Sequence, residues 1–337
     1  MKISTDIQNE ISNDKIVILL MLDLSAAFDT IDQDILIDKL KNHFQIKGKV
    51  LSFLQSYLKN RTYNVSVHDQ ISKQRILKCG VPQGLILGPR LFSMYMYDLD
   101  DVVLKYGLVP HIYADDTNLY IGCKPMTEFS ITVKKISDCF TDLANYMARN
   151  FLKLNVKKTQ VMFCGRKTTL SLYETRFCEI YRSINNDEAT CCKTGKTLGV
   201  TIDSTLQFKD MIDEVTKNCY YKLNRLQNMK KSLDGKIRLT LIKSLIISKL
   251  DYCNFLYSHA PNYLIQRLQK CLNAAVRFVF NVRKSARITP YLKSAHILPI
   301  RSRIDYKLCY YAYKILIHHI SATHGSETPT KQNSKIC

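Results

Sequence analysis

Leu22-Asp23-Leu24-Ser25-Ala26-Ala27-Phe28-Asp29 and Tyr113-Ala114-Asp115-Asp116 are the two stretches from which the fold and chemistry of this chain follow. The first closes an apolar run, Ile16–Leu24, broken only by Asp23. Such a run, without polar alternation, is the pattern of a strand buried on both faces. A carboxylate at its end needs a partner, because an uncompensated buried charge is costly. A salt bridge would serve, and so would a metal ion. The second stretch sits inside His111–Gly122, which reads as strand, tight turn and strand. Asp is a common turn former, so two adjacent aspartates there are ordinary by themselves. Joined to a separate strand-end aspartate, they make the arrangement that two-metal nucleotidyl transfer requires. Hard Mg²⁺ ions take carboxylate oxygens and bridge phosphates.

Outward from these stretches the periodicity changes along the chain. Asp34 is expected to cap a helix carrying Ile35, Leu36 and Leu40, and Val50, Leu51, Leu54 and Leu58 mark a second. Tyr63–Val67 and Ile71–Lys78 alternate around His68-Asp69-Gln70 as a hairpin. Gly80-Val81-Pro82-Gln83-Gly84 opens a loop whose glycines let backbone approach a substrate closely, although a plain turn has the same composition. An apolar helix is expected over Leu91–Leu104. Val133, Ile136, Phe140, Leu143 and Met147 mark a long amphipathic helix, followed by a strand at Gln160–Cys164. Past Ser204 the spacing is helical throughout: Ile212, Val215, Cys219, Leu223 and Leu226, then Leu241, Ile242 and Leu245, then Leu264, Leu268, Leu272 and Val276. Residues 1–204 are therefore expected to form an α+β unit and 205–320 an all-helical one. Residues 321–337, rich in Ser, Thr and Lys, are expected to be a disordered tail.

The 337 residues are 46% hydrophobic and 23% charged, a globular and not a disordered composition. The net charge of +20 is unevenly spread: residues 201–337 hold 23 Lys/Arg against 8 Asp/Glu, and residues 1–200 hold 26 against 21. A basic half joined to a nearly balanced one points to a polyanionic partner beside a carboxylate-bearing site. None of the twelve cysteines forms a C-x-x-C pair, so no zinc or redox motif is read from them. The thiols are expected to be reduced, in an intracellular protein of nucleus or cytoplasm. Met1–Asn13 is polar, unlike a signal peptide, and Ile16–Leu22 is too short to span a bilayer, so no membrane partner is expected.

In this order and spacing the blocks resemble the motifs of reverse transcriptases. Leu22–Asp29 resembles motif A, Gly80–Gly84 motif B, and Tyr113–Asp116 the YxDD box of motif C. Asn155–Thr159 is similar to motif D and Leu198-Gly199 to the primer-grip motif. Their wording (LDLSAAFDT, GVPQG, YADD, LNVKKT, LGV) is that of non-LTR, LINE-type retrotransposons. Ser248–Tyr257, Ile265–Ala275 and His296–Lys307 resemble the region beyond the palm in the same elements. The resemblance thus covers the chain from about Lys15 to Ile320. It implies a right-hand polymerase palm, an antiparallel sheet with packed helices, over residues 1–204, followed by an all-helical thumb and C-terminal region over 205–320. It also implies that Asp23 and Asp115 bind two Mg²⁺ ions, with Asp116 completing the site. Phe28 takes the place of the gate against the ribose 2′-OH. Gln83 and Gly84 lie near incoming nucleotide and template, Lys158 near the triphosphate, and Leu198 and Gly199 at the primer. The implied partners are an RNA template, a DNA primer, their RNA–DNA hybrid and deoxynucleoside triphosphates; oligomeric state is left open.

Two residues depart from the family's pattern: Leu85 stands where Ser is common, and Arg90 where an apolar residue is usual. Motif A begins within about the first 25 residues, so the sequence is expected to lack the fingers and the endonuclease. A 5′-truncated element copy or a partial gene model has that form. Two functions therefore stand side by side: an RNA-directed DNA polymerase, and an inactive truncated remnant that at most binds nucleic acid. An RNA-dependent RNA polymerase fits less well, because GVPQG, and YADD in place of GDD, argue against it.

Overall fold

The strand β1, Ile16–Leu22, has all seven residues buried, as its unbroken apolar sequence requires. In the computed structural model, which describes residues 2–81, 86–173 and 190–324, β1 is the middle strand of a five-stranded sheet. Its neighbours are β3, Asp116–Cys123, on one side and β4, Gln160–Cys164, on the other, both antiparallel. β2, Val109–Tyr113, pairs with β3 in a hairpin. The order is β5-β4-β1-β3-β2. The sheet is antiparallel as expected except at its edge, where β5, Thr190–Cys191, runs parallel to β4. A parallel neighbour needs a crossover connection, and helix α7, Lys167–Tyr173, lies on this one.

Pleating sends Ile16, Ile18, Leu20 and Leu22 to one face, where they join Leu119, Ile121 and Cys123. Helix α6, Phe129–Arg149, adds Ile136, Phe140, Leu143 and Met147 to this core, at the spacing of a helical stripe. Helix α2, Gln33–Asn42, contributes Leu36 and Leu40. Each such side chain, fully buried, stabilises by about 1.5–3 kcal/mol. The opposite face carries helix α1, Lys2–Ser12, with Ile7 buried and the Tyr120 hydroxyl donating to Asp6 Oδ2 at 3.1 Å.

The cap of α2 is Asp32 and not Asp34. Its Oδ1 accepts from the backbone N–H of Asp34 and Ile35, both at 2.9 Å, which satisfies two orphan donors of the first turn. Asp34 sits inside that turn and pairs with Lys59 at 2.6 Å. The single helix expected over Leu91–Leu104 is two: α4, Gly88–Tyr95, and α5, Leu99–Leu104. The Tyr95 carbonyl, which would accept from Leu99 in a continuous helix, instead accepts from the buried Lys39 Nζ at 2.7 Å. Lys39 also pairs with Asp98 at 3.0 Å, so the break holds a buried cation. Helix α3, Gly48–Leu58, leads to an exposed hairpin arm that pairs Thr62 with Ile76 and Ser66 with Ile71.

The chain divides between Leu206 and Gln207, two residues past Ser204. Among the described residues the second unit contains only helical segments. Helix α8, Lys209–Asn228, and helix α11, Asn262–Phe280, pack together, with Ile212, Val215, Cys219 and Leu223 buried on one and Leu264, Leu268, Leu272 and Val276 on the other. Between them, α9 (Gly235–Ile242) passes through a π-helical turn into α10 (Ser248–Asp251). α12 (Thr289–Ser294) and α13 (Ile300–His324) complete the unit. α13 runs through His324, and residues 325–337, where most of the expected tail falls, lie outside the described residues. Among the described residues, no helix is long and apolar enough to cross a membrane.

The segment that leads from β1 into α2 is laced to the loop that begins at Gly80. Gly80 N–H donates to Ile31 O at 2.7 Å, and Val81 N–H to Phe28 O at 2.9 Å. The buried Gln33 side chain donates to Gly80 O at 3.1 Å. Gly80 has φ +88°, and a Cβ there would meet the carbonyl oxygens of Phe28 and Asp29 at 3.0 Å. Gly80→Ala is therefore expected to destabilise the chain by about 2–4 kcal/mol, from left-handed strain and overpacking together. Urea unfolding measures this; an unchanged midpoint would show that the loop is not held against that segment.

Candidate active site

Asp23 follows the last residue of β1, and register decides what lies beside it. Leu22 pairs with Thr117 and Met21 with Asn118. Paired residues share a face, and faces alternate along a strand. Continued by one step, the same alternation brings Asp23 and Asp116 together on the face that carries Met21 and Asn118. Asp116 pairs with Tyr113 to close the β2–β3 hairpin, leaving Ala114 and Asp115 as its two-residue loop, with Ala114 at φ +53°. The three aspartates thus come from two ends of adjacent strands.

Their charges interact. Burial, then the neighbouring Asp115, hold the Asp116 carboxyl above the usual aspartate range; a hydrogen bond from the Leu198 N–H opposes the rise and Asp23 adds to it. Like carboxylates at one site disfavour each other's ionised form. Lys158 answers part of this charge, its Nζ 3.9 Å from Asp23 Oδ2. Lys158 ends the short 3₁₀ turn Val156–Lys158, which is tied to the strand end by Asn155 N–H donating to Asp23 O at 2.8 Å.

A small hairpin closes the same side. β6, Thr194–Thr197, and β7, Val200–Asp203, are joined by Leu198 and Gly199, at φ +47° and +74°. Glycine takes that conformation freely, whereas at leucine it is strained. What anchors the turn is a buried hydrogen bond from Asn118 Nδ2 to Thr197 Oγ1 at 2.9 Å. Neither residue was singled out from the sequence. The signal was an Asn at a buried position within an apolar strand. Phe28 is half-buried with its ring 4.8 Å from that of Phe92, and its backbone binds the Val81 N–H. Gln83, Gly84 and Leu85 lie outside the described residues. Arg90 is on the exposed side of α4, beside the buried Leu91, and so costs the core nothing.

Residues 3–202 match the family model described as reverse transcriptase (RNA-dependent DNA polymerase). The chain belongs to the reverse transcriptase family. With the motif wording already quoted, its relatives make it a LINE-type, non-LTR reverse transcriptase sequence. It is 26% identical over 306 residues to "Probable RNA-directed DNA polymerase from transposon BS" of Drosophila melanogaster, covering 88% of this chain and 33% of that protein. It is 26% identical over 258 residues to the RNA-directed DNA polymerase from mobile element jockey of the same fly, covering 74% of this chain and 26% of that one. The chain thus spans about a third or less of the length of the curated relatives it matches. Among solved structures, telomerase from Candida tropicalis aligns with 88% of this chain and 52% of its own, at 12% identity and a TM-score of 0.44.

Among the described residues, no three His, Cys, Asp or Glu side chains are arranged to hold a metal ion. The donor set nonetheless suits a hard divalent cation. All three groups are carboxylates, the oxygen donors such a cation prefers. Thr197→Val would leave the buried Asn118 amide without its acceptor, a loss of about 1–3 kcal/mol. Urea unfolding should register that loss, and hydrogen exchange should quicken at Leu198 and Gly199. Unaltered exchange there would mean the hairpin is anchored elsewhere.

Proposed function

We propose that this chain is the polymerase core of a non-LTR retrotransposon: an RNA-directed DNA polymerase whose palm is residues 1–204 and whose thumb is the helical unit that follows. The observation that carries this is the register of Ile16–Leu22 with Asp116–Cys123, which sets Asp23 beside Asp116 and the Ala114-Asp115 turn. Asp23, Asp115 and Asp116 would hold two Mg²⁺ ions. When bound, these would supply Lewis acidity to the primer 3′-hydroxyl and neutralise charge on the leaving pyrophosphate.

The chain's own residues do the positioning. The reaction joins the primer 3′-oxygen to the nucleotide α-phosphorus as the bond to pyrophosphate breaks, so the two partners must be held in line. Lys158 offers its ammonium to the triphosphate from a turn fixed to Asp23. Phe28, held by Phe92 and by its own backbone, is the wall against a ribose 2′-hydroxyl. The Leu198-Gly199 turn presents backbone to the primer end, and Gln83 and Gly84 contact nucleotide and template. The basic helical unit grips the phosphates of the RNA–DNA hybrid without reading sequence.

Primer extension on an RNA template with Mg²⁺ tests this. Asp115→Asn should lower the rate by on the order of a thousandfold while circular dichroism stays unchanged, since several kcal/mol of charge stabilisation are removed. Extension undiminished by Asp115→Asn would refute the assignment. In the same assay Phe28→Ala should raise ribonucleotide incorporation relative to deoxynucleotide. A constant ratio would take Phe28 out of the role of gate.

A further inference from the structure

Among the described residues, helix α13 packs on its unit through its first part and is exposed from Ala312 to Ile317. On the packed side, Ile304 is fully buried and the Tyr311 ring lies edge-on to Phe255, centroids 5.4 Å apart. A quarter-turn or more away run Tyr306, Tyr310 and Tyr313, at spacing i, i+4, i+7. Lys307 and Lys314, at i+1 and i+8, fall on the same stripe, about 120° wide at 100° per residue. The tyrosines are 59%, 39% and 62% exposed. Tyr306 and Tyr310 stack with centroids 6.3 Å apart and planes within 19°, and Lys314 Nζ stands 5.1 Å over the Tyr310 ring. No Asp or Glu occurs between Asp305 and Glu327. At the near end of the stripe, Tyr306 and Lys307 line a cleft of about 230 Å³ with His296, Leu298 and the ion-paired Arg303 and Asp251. The exposed Leu308, Ile315 and Leu316 lie off this stripe and lack its cations.

Flat rings in register, interleaved with cations and clear of acids, suit one kind of ligand. Unpaired bases stack on aromatic faces whatever their sequence, and lysines alongside follow the phosphates. A duplex would offer its phosphates to the same lysines but keep its base faces from the rings. We propose that this stripe of α13 is a binding site for single-stranded nucleic acid, recognised by stacking and charge and not by sequence. It differs from the hybrid grip proposed for this unit, and it rests on none of the catalytic aspartates.

The test is fluorescence anisotropy of the full chain with labelled oligo(dT), oligo(U) and a blunt RNA–DNA hybrid. The Tyr306→Ala, Tyr310→Ala, Tyr313→Ala triple variant should bind both single strands at least about tenfold more weakly. Its hybrid affinity should change less than about twofold, because phosphate contacts carry that binding. The corresponding triple Phe variant should bind as the parent does, since the ring is kept. Lys307→Gln with Lys314→Gln should flatten the dependence of single-strand affinity on salt. The rings are exposed, so thermal melting should hardly move. Single-strand binding untouched by the triple Ala variant would overturn the proposal. So would equal losses for single strand and hybrid. A fall in sedimenting mass with unchanged affinity would overturn it too, and would make the stripe a protein interface. Polymerisation is not read in this assay, so its outcome is separable from that of the polymerase assignment.

Discussion

The register between Ile16–Leu22 and Asp116–Cys123 is the constraint on which the site depends. It is set from the core side, where Ile18 pairs with Ile121 and Leu20 with Leu119 beneath α6. Side chains alternate with a period of two, so a slip of one residue would turn every one of them to the wrong face. Leu119 and Ile121 would then leave the core beneath α6 for the face that carries α1, and Asp116 would be driven into that core as an unpaired charge. Apolar burial therefore fixes where the carboxylates stand, although none of the apolar side chains touches a substrate. The segment that follows the strand holds the start of the next loop, through Phe28 O and Ile31 O to the amides of Val81 and Gly80.

That geometry comes at an electrostatic cost. Asp116 lies against two other carboxylates and is relieved by one backbone N–H, from a turn whose Leu198 has positive φ. Lys158 reaches Asp23 at a distance suited to long-range attraction rather than a tight pair. Strain and like charge gathered where chemistry is proposed are what a site awaiting cations and a triphosphate would show. Elsewhere in the sheet β1 and β4 are conventionally paired and buried almost throughout.

How much of this could be read from the sequence depended on distance along the chain. β1 and β4 were legible because runs such as Ile16–Leu22 and Gln160–Cys164 bury every residue but the first of the second run. α6, α8 and α11 were legible because their apolar stripes keep helical spacing over several turns. Asp23 and the Asp115-Asp116 pair were legible as carboxylates misplaced among apolar residues. The α2 cap was missed by two positions because Asp32 and Asp34 are equivalent in composition, and only the reach of Oδ1 separates them. The break between α4 and α5 was not legible, since Lys39 causes it from 56 residues away. Nor was the anchor of the 198–199 turn, in which Asn118 and Thr197 are 79 residues apart. Local pattern carries local structure; the polar contacts that aim the site are long-range.

The central claim is that Asp23, Asp115 and Asp116 form one cation site, and metal-directed backbone cleavage tests it most directly. Fe²⁺ bound in place of Mg²⁺, with ascorbate and peroxide, generates hydroxyl radicals that cut the chain near the ion. The account predicts cuts in two separated segments, one around residue 23 and one around residues 115–116. Both should fade together as Mg²⁺ is added and in Asp115→Asn. Cuts in only one of the segments, or cuts that Mg²⁺ does not suppress, would contradict it.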